Sequence, residues 1–245
     1  MTEQDIGRRI YHSTFIGMAL LVWTMLSADA QSRLDFNTEN LQINWRDVRA
    51  GGPPKDGIPA LTLPAFVPVQ ATGYFREDDR VVVVDIEGDV RGYPFSILNW
   101  HEAVNDVVGG VPLAVIYCPL CDSVSVVDRR IQGDTLEFGI SGLLYESNVL
   151  LYDRTHNALW SQVGLEAVSG PYAGQSLKHQ PWSIMRFDTF RQQHPDAEVL
   201  SMDTGHQRNY AHNPYQRYFE SGRLMFPVSK RDRRLPDKEP VIGIR

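Results

Sequence analysis

Between residues 81 and 153 the chain alternates short apolar, β-branched runs with pairs of turn residues, a rhythm that a strand-rich fold accommodates and a helical one does not. Val81-Val82-Val83-Val84 leads through Glu87-Gly88-Asp89 to Tyr93, which predicts a hairpin with a strongly apolar first arm. After Pro94 the period changes. Ile97, His101, Val104 and Val108 recur at helical spacing and Gly109-Gly110 supplies a stop, so a short helix with His101 facing inward is expected. Residues 111–117 read as a buried strand, 118–121 as a tight connection and 123–128 as a second strand. Two further β-like runs, 135–140 and 145–152, are separated by Ser141-Gly142, and 153–157 have the composition of a turn. Residues 187–194 predict a short helix stopped by Pro195.

The ends of the chain have a different character. Arg8 and Arg9 precede an apolar run over 15–26, followed by Ala28-Asp29-Ala30, which reads as a signal peptide over 1–30; the run is too short for a membrane span. The expected location is therefore exported, periplasmic or extracellular, with no stable membrane span after cleavage. Residues 31–80, rich in glycine and proline, read as an extended wrapping segment, and 81–245 as the strand-rich main domain. Residues 240–245 resemble the opening of another hairpin: either a terminal strand completes the sheet there, or the domain lacks its last strands. The expected class is α+β, mainly β: one antiparallel, strand-rich domain with a few short helices. Lys+Arg 24 against Asp+Glu 30, a net charge of -6, leaves no chain-wide basic field, so nucleic acid is not an expected partner.

Chemistry points to one place. Cys118 and Cys121 are the only cysteines and form Cys-x-x-Cys. In thioredoxin-like enzymes such a pair begins a helix whose dipole lowers the thiol pKa, but Asp122-Ser123-Val124-Ser125-Val126-Val127 is β-branched and alternating. A strand-loop-strand knuckle suits a soft or borderline ion, one copper or zinc, with His101 as a third ligand and Glu102 as a catalytic base or fourth ligand. Two alternatives stand beside this metal site. One is a thiol-disulfide oxidoreductase using Cys118 and Cys121, which requires an exposed thiol of low pKa; the other is a non-catalytic binding module with a structural metal. The expected partner is a small molecule of unknown identity or a metal donor. Ser147-Asn148 and Trp160-Ser161-Gln162 are candidates to line a pocket beside the cysteines. Gly139-Ile140-Ser141-Gly142 approaches a hydrolase nucleophile elbow but ends in Leu143 instead of glycine. His206 and His212 lie in a loop-like stretch, and 230–234 reads as a solvated face.

A set of ordered blocks carries a resemblance. Asp56-Gly57-Ile58-Pro59-Ala60-Leu61, Arg91-Gly92-Tyr93-Pro94, Ile97-Leu98-Asn99-Trp100-His101-Glu102, Asn105-Asp106 and Tyr117-Cys118-Pro119-Leu120-Cys121 come first. Ser147-Asn148, Tyr152-Asp153-Arg154, Leu159-Trp160-Ser161-Gln162, Asp203-Thr204-Gly205, Pro214-Tyr215 and Phe226-Pro227-Val228 follow. From about Asp56 onward the chain resembles the prokaryotic family catalogued as domain of unknown function 3179. The resemblance implies that the Asn-Trp-His-Glu and Cys-Pro-Leu-Cys segments share a site, and it implies no activity. This chain differs at Asp122, where family members usually carry glycine, and many members continue past its C-terminus.

Overall fold

The Val111–Cys118 strand is apolar at nearly every position because both of its faces are covered. It pairs antiparallel with Ala103–Val108 and with Ser123–Asp128, and Leu61–Thr62 joins Ala103–Val108 in parallel to complete a four-stranded sheet. Successive side chains point to opposite faces. Leu113, Val115 and Tyr117 therefore enter one core with Val82, Tyr93 and Phe190, while Ala114, Ile116 and Cys118 enter a second with Phe138, Leu151 and Trp160.

The computed structural model describes residues 35–241, so the 1–30 signal-peptide reading and most of the 240–245 hairpin reading lie outside the described residues. Two five-stranded sheets supply the covering layers. One has the order Ser183–Arg186, Arg80–Ile86, Asp89–Pro94, Glu198–Leu200, Phe66–Pro68; the other Val48–Ala50, Phe138–Tyr145, Asn148–Asp153, Leu159–Ser161, Glu166–Ala167. Strands dominate, and the helices Phe95–His101, Phe187–Gln193 and Gln216–Glu220 are short, as the sequence predicts. Pairing between strands is antiparallel except for Leu61–Thr62 on Ala103–Val108 and Glu198–Leu200 on Asp89–Pro94. The turns Glu87-Gly88, Gly109-Gly110 and Glu146-Ser147 each carry two residues of positive φ, the backbone that two-residue hairpins require. Residues 48–68 place one strand at an edge of each of the three large sheets, where proline is tolerated.

Two local expectations are corrected. The helix stops at His101 rather than at Gly109, and Ala103–Val108 is a strand. A four-residue separation keeps Val104 and Val108 on one side of a helix or of a strand, so their spacing could not distinguish the two. Ser141-Gly142 does not separate two strands: Phe138–Tyr145 runs through it with a bulge between Ile140 and Leu143. Gly142 takes φ +76°, and Ser141 Oγ accepts the Leu143 N–H at 3.0 Å and donates to the Leu150 carbonyl. That hydroxyl is fully used and buried, so the serine-hydrolase reading has no nucleophile there.

Asn105 joins two layers. Its Nδ2 donates to the Phe138 carbonyl at 2.9 Å and the Leu61 carbonyl at 3.3 Å, and its Oδ1 accepts the Phe138 N–H at 2.9 Å, all shielded from water. Asn105→Ala leaves buried backbone groups of Phe138 without these partners and is expected to cost about 2–4 kcal/mol. Urea unfolding checks this: the midpoint falls at unchanged slope, and an unchanged midpoint would show that the asparagine is not the staple.

Candidate functional site

Cys118 ends its strand opposite Ser123, and Pro119 to Asp122 form the connecting loop. Pro119 presets φ for the second position of a β-turn, which the Cys121 N–H closes onto the Cys118 carbonyl at 3.4 Å. Such a turn holds its first and fourth Cα atoms within about 7 Å, close to the span of a disulfide. Both cysteines are free thiols. A strand follows, not a helix, as the sequence predicts. Asp122 takes φ +47°, a conformation that glycine adopts at no steric cost. Its carboxylate accepts the Tyr117 hydroxyl at 2.9 Å and the Arg80 guanidinium at 3.1 Å, which fixes the loop by other means.

The two sulfurs differ sharply. Cys118 is buried, and its thiol pKa is pushed well up by its hydrogen bond to Cys121 and then by burial. Cys121 is exposed, and its pKa falls to about 6, first through its hydrogen bond with Cys118 and then through those with Ser123 and Asn148. Ser123 Oγ lies 3.0 Å from Cys121 Sγ, and Asn148 Nδ2 donates to that sulfur at 3.2 Å. Buried Gln162 holds both side chains in place: its Oε1 accepts from Asn148 Nδ2 at 2.6 Å and Ser123 Oγ at 3.0 Å, and its Nε2 donates to Ser125 Oγ at 2.8 Å.

Glu102 reaches the same place from the neighbouring strand. It caps the Phe95–His101 helix with φ +57°, its N–H donating to the Leu98 carbonyl, while its own carbonyl accepts the Tyr117 N–H, each at 2.8 Å. The second bond ties the helix end to the residue before Cys118. Burial raises the carboxyl pKa to about 7, against the lowering effect of the Tyr215 hydroxyl that donates to Oε1 at 2.6 Å; the nearby Cys121 charge raises it further. Glu102, Cys118 and Tyr215 line a cavity of about 60 Å³, also walled by Met225 and Phe226.

His101 faces elsewhere. Its Nδ1 lies 2.7 Å from the Pro59 carbonyl, which can only accept, so Nδ1 carries the proton and Nε2 accepts the Tyr210 hydroxyl at 2.7 Å. Thr204 then donates to the Tyr210 oxygen at 2.5 Å. Burial lowers the imidazole pKa to about 4, and the ring centroid lies 5.3 Å from that of His206 with the two planes tilted by 50°. The structure thus brings Glu102, Cys118 and Cys121 together and turns His101 toward the 204–210 segment. Among the described residues, no three His, Cys, Asp or Glu side chains converge as a metal-holding group.

Of the expected pocket residues, Asn148 and Gln162 serve Cys121, whereas Trp160 is core and donates to Asp153 at 2.9 Å. His206 and His212 line a depression that adjoins the one containing Cys121, and residues 230–232 border the latter. Sequence reasoning missed Ser123, Tyr215 and Tyr218, whose hydroxyl donates to the Leu120 carbonyl at 2.7 Å. Pro214-Tyr215 stands among the blocks of the resemblance, but nothing local ties it to a residue 113 positions earlier.

The Glu102 carboxyl has a thermodynamic signature. Its pKa rises from the ordinary 4.5 to about 7 in the fold. The folded state therefore gains most below pH 4.5 and loses that contribution as pH rises through 7. Glu102→Gln, permanently neutral, is expected to flatten this fall and to exceed wild-type stability above pH 7, by on the order of 3 kcal/mol at most. Denaturant titrations across the window check it, and parallel curves for the two proteins would remove the raised pKa.

Comparison with known proteins places the whole cluster inside one matched region. No curated protein and no solved structure matches the chain. A family model described as "Protein of unknown function (DUF3179)" matches residues 55–245, which contain Glu102, Cys118, Cys121, Ser123, Asn148, Gln162 and Tyr215; the chain belongs to that family.

Proposed function

We propose that the chain is a thiol-disulfide oxidoreductase of an exported compartment, with Cys121 as the attacking sulfur and Cys118 as the resolving one. The asymmetry of the pair carries this reading: an exposed sulfur hydrogen-bonded to Cys118, Ser123 and Asn148 sits one turn away from a buried, protonated thiol beside a carboxyl of pKa about 7. Toward a disulfide substrate, the Cys121 thiolate attacks one sulfur, a mixed disulfide forms, and the first substrate thiolate leaves and takes a proton from water. Cys118 then gives its proton to the Glu102 carboxylate and attacks Cys121 Sγ. The Cys118–Cys121 disulfide forms, the second substrate thiolate leaves, and it receives that proton. One substrate disulfide gains two electrons and the dithiol loses two; the reverse sequence oxidises a substrate dithiol.

The order of roles is opposite to that of a helix-capping pair. There the dipole activates the first cysteine. Here the strand buries the first cysteine and the turn exposes the second, so activation depends on side-chain donors. A second reading keeps the metal: two sulfurs beside a carboxyl are donors that copper(I) or zinc accepts, with Cys118 and Cys121 as ligands.

Alkylation of the reduced protein by iodoacetamide is expected to modify Cys121 first, with a rate midpoint near pH 6, and Asn148→Ala is expected to move that midpoint upward. Cys121→Ser abolishes disulfide exchange, whereas Cys118→Ser stalls as a mixed disulfide visible by mass spectrometry. Elemental analysis of protein purified without chelator separates the readings. One copper or zinc per chain, lost in the double serine variant and accompanied by no exchange, would replace the redox reading with the metal site.

A further inference from the structure

We infer that the substrate of the cysteine pair is a polypeptide disulfide, bound as an extended segment along a groove that runs from Cys121 to the Phe95–His101 helix. The substrate class rests on the dithiol reading; the groove does not. Two adjoining depressions make it. One, of about 560 Å³, contains Cys121, Asp122, Ser147 and Tyr218; the other, of about 1090 Å³, contains Arg80, Ser96, Asn99 and Tyr117. Phe219 belongs to both walls, and Asp122 of the first is bonded to Tyr117 and Arg80 of the second.

Among the described residues, three polar atoms along this path have no hydrogen-bond partner: Asn99 Oδ1, Ser96 Oγ and Ser147 Oγ. Asn99 and Ser147 are each only 7% exposed. An unsatisfied buried acceptor or hydroxyl is costly, so such groups accumulate where a ligand completes them. Ser96 and Asn99 stand three residues apart on one helical face, and Asn99 Oδ1 requires an N–H or O–H donor. The wall carries both signs of charge, Arg76, Arg80 and Arg208 with Asp78 and Asp79, and Arg76 is paired with Asp78 and Arg80 with Asp122, so no single sign of charge is selected. A neutral ligand with donors and acceptors repeated along its length meets these demands, and a polypeptide backbone has them at every residue. The combined groove is larger than the roughly 300–1,000 Å³ that a small molecule fills, which argues against a compact disulfide as the occupant.

Two probes test the proposal: a neutral peptide of about ten residues with its one cysteine joined to nitrothiobenzoate, and the small symmetric dithiobis-nitrobenzoate. Release of nitrothiobenzoate is followed with wild type, Asn99→Leu, Ser96→Ala and Asn99→Asp, each checked for folding by circular dichroism. Asn99→Leu is expected to raise KM for the peptide about tenfold and to leave the small disulfide unchanged, Ser96→Ala to act in the same direction, and Asn99→Asp to retain the acceptor and most of the affinity. Equal effects on both probes, or none on either, would overturn the groove. Calorimetric titration of the same peptide, with serine for its cysteine, into the Cys118→Ser, Cys121→Ser protein reads the groove without chemistry. Binding that Asn99→Leu weakens supports it even if exchange fails and the redox reading falls; absence of binding overturns it.

Discussion

Burial of the Val111–Cys118 strand on both faces is the constraint from which the rest of the structure follows. A strand packed against two sheets must alternate its side chains between two cores, each largely buried aliphatic residue contributing roughly 1.5–3 kcal/mol. That alternation sends Tyr117 to one core and Cys118 to the other. The chain can leave such a strand only by a short turn, and this turn returns the second sulfur to the surface. Inequality between the sulfurs is a consequence of where the strand ends.

The local charge balance grows out of the same geometry. Cys118 stays protonated and lends its proton to Cys121, while the negative charge at Cys121 helps keep the Glu102 carboxyl protonated up to about pH 7. The three groups hold few charges at neutral pH, as a poorly hydrated site requires. Left-handed backbone also occurs here. Glu102, Asp122, Glu146 and Ser147 all adopt positive φ without being glycine, and all line the cavity or the groove around the cysteines. At Glu102 the left-handed backbone between helix and strand sets the side-chain direction that brings the carboxyl into the cavity with Cys118.

His101 and Asn105 illustrate how a polar residue inside a β-rich core can matter without touching the chemistry. Asn105 satisfies the backbone of a strand in another sheet and so holds two layers in register. Buried and neutral, His101 anchors the Thr204 to Tyr210 segment through Tyr210, and the same chain then carries Tyr215 onto Glu102. A histidine with both ring nitrogens engaged inside the protein ties together the segments that it bridges.

The strand-rich class, the first hairpin, the 187–193 helix, the buried strand leading into Cys118 and the knuckle without a following helix were legible from residue order, because these depend on local periodicity and on turn residues. Residue order also singled out Glu102, Cys118 and Cys121, and Asn148 and Gln162 as their neighbours. The remainder came from contacts between distant parts of the chain. Whether Val104 and Val108 belong to a helix or a strand depended on pairing with Val111–Cys118, since a spacing of four serves both periods. His101 and Glu102 are adjacent in the chain, yet the left-handed residue between helix and strand sends their side chains to different partners. The depressed thiol pKa, the Tyr215 contact and the groove reaching Asn99 all bring together residues tens of positions apart, and no local pattern encodes such a meeting.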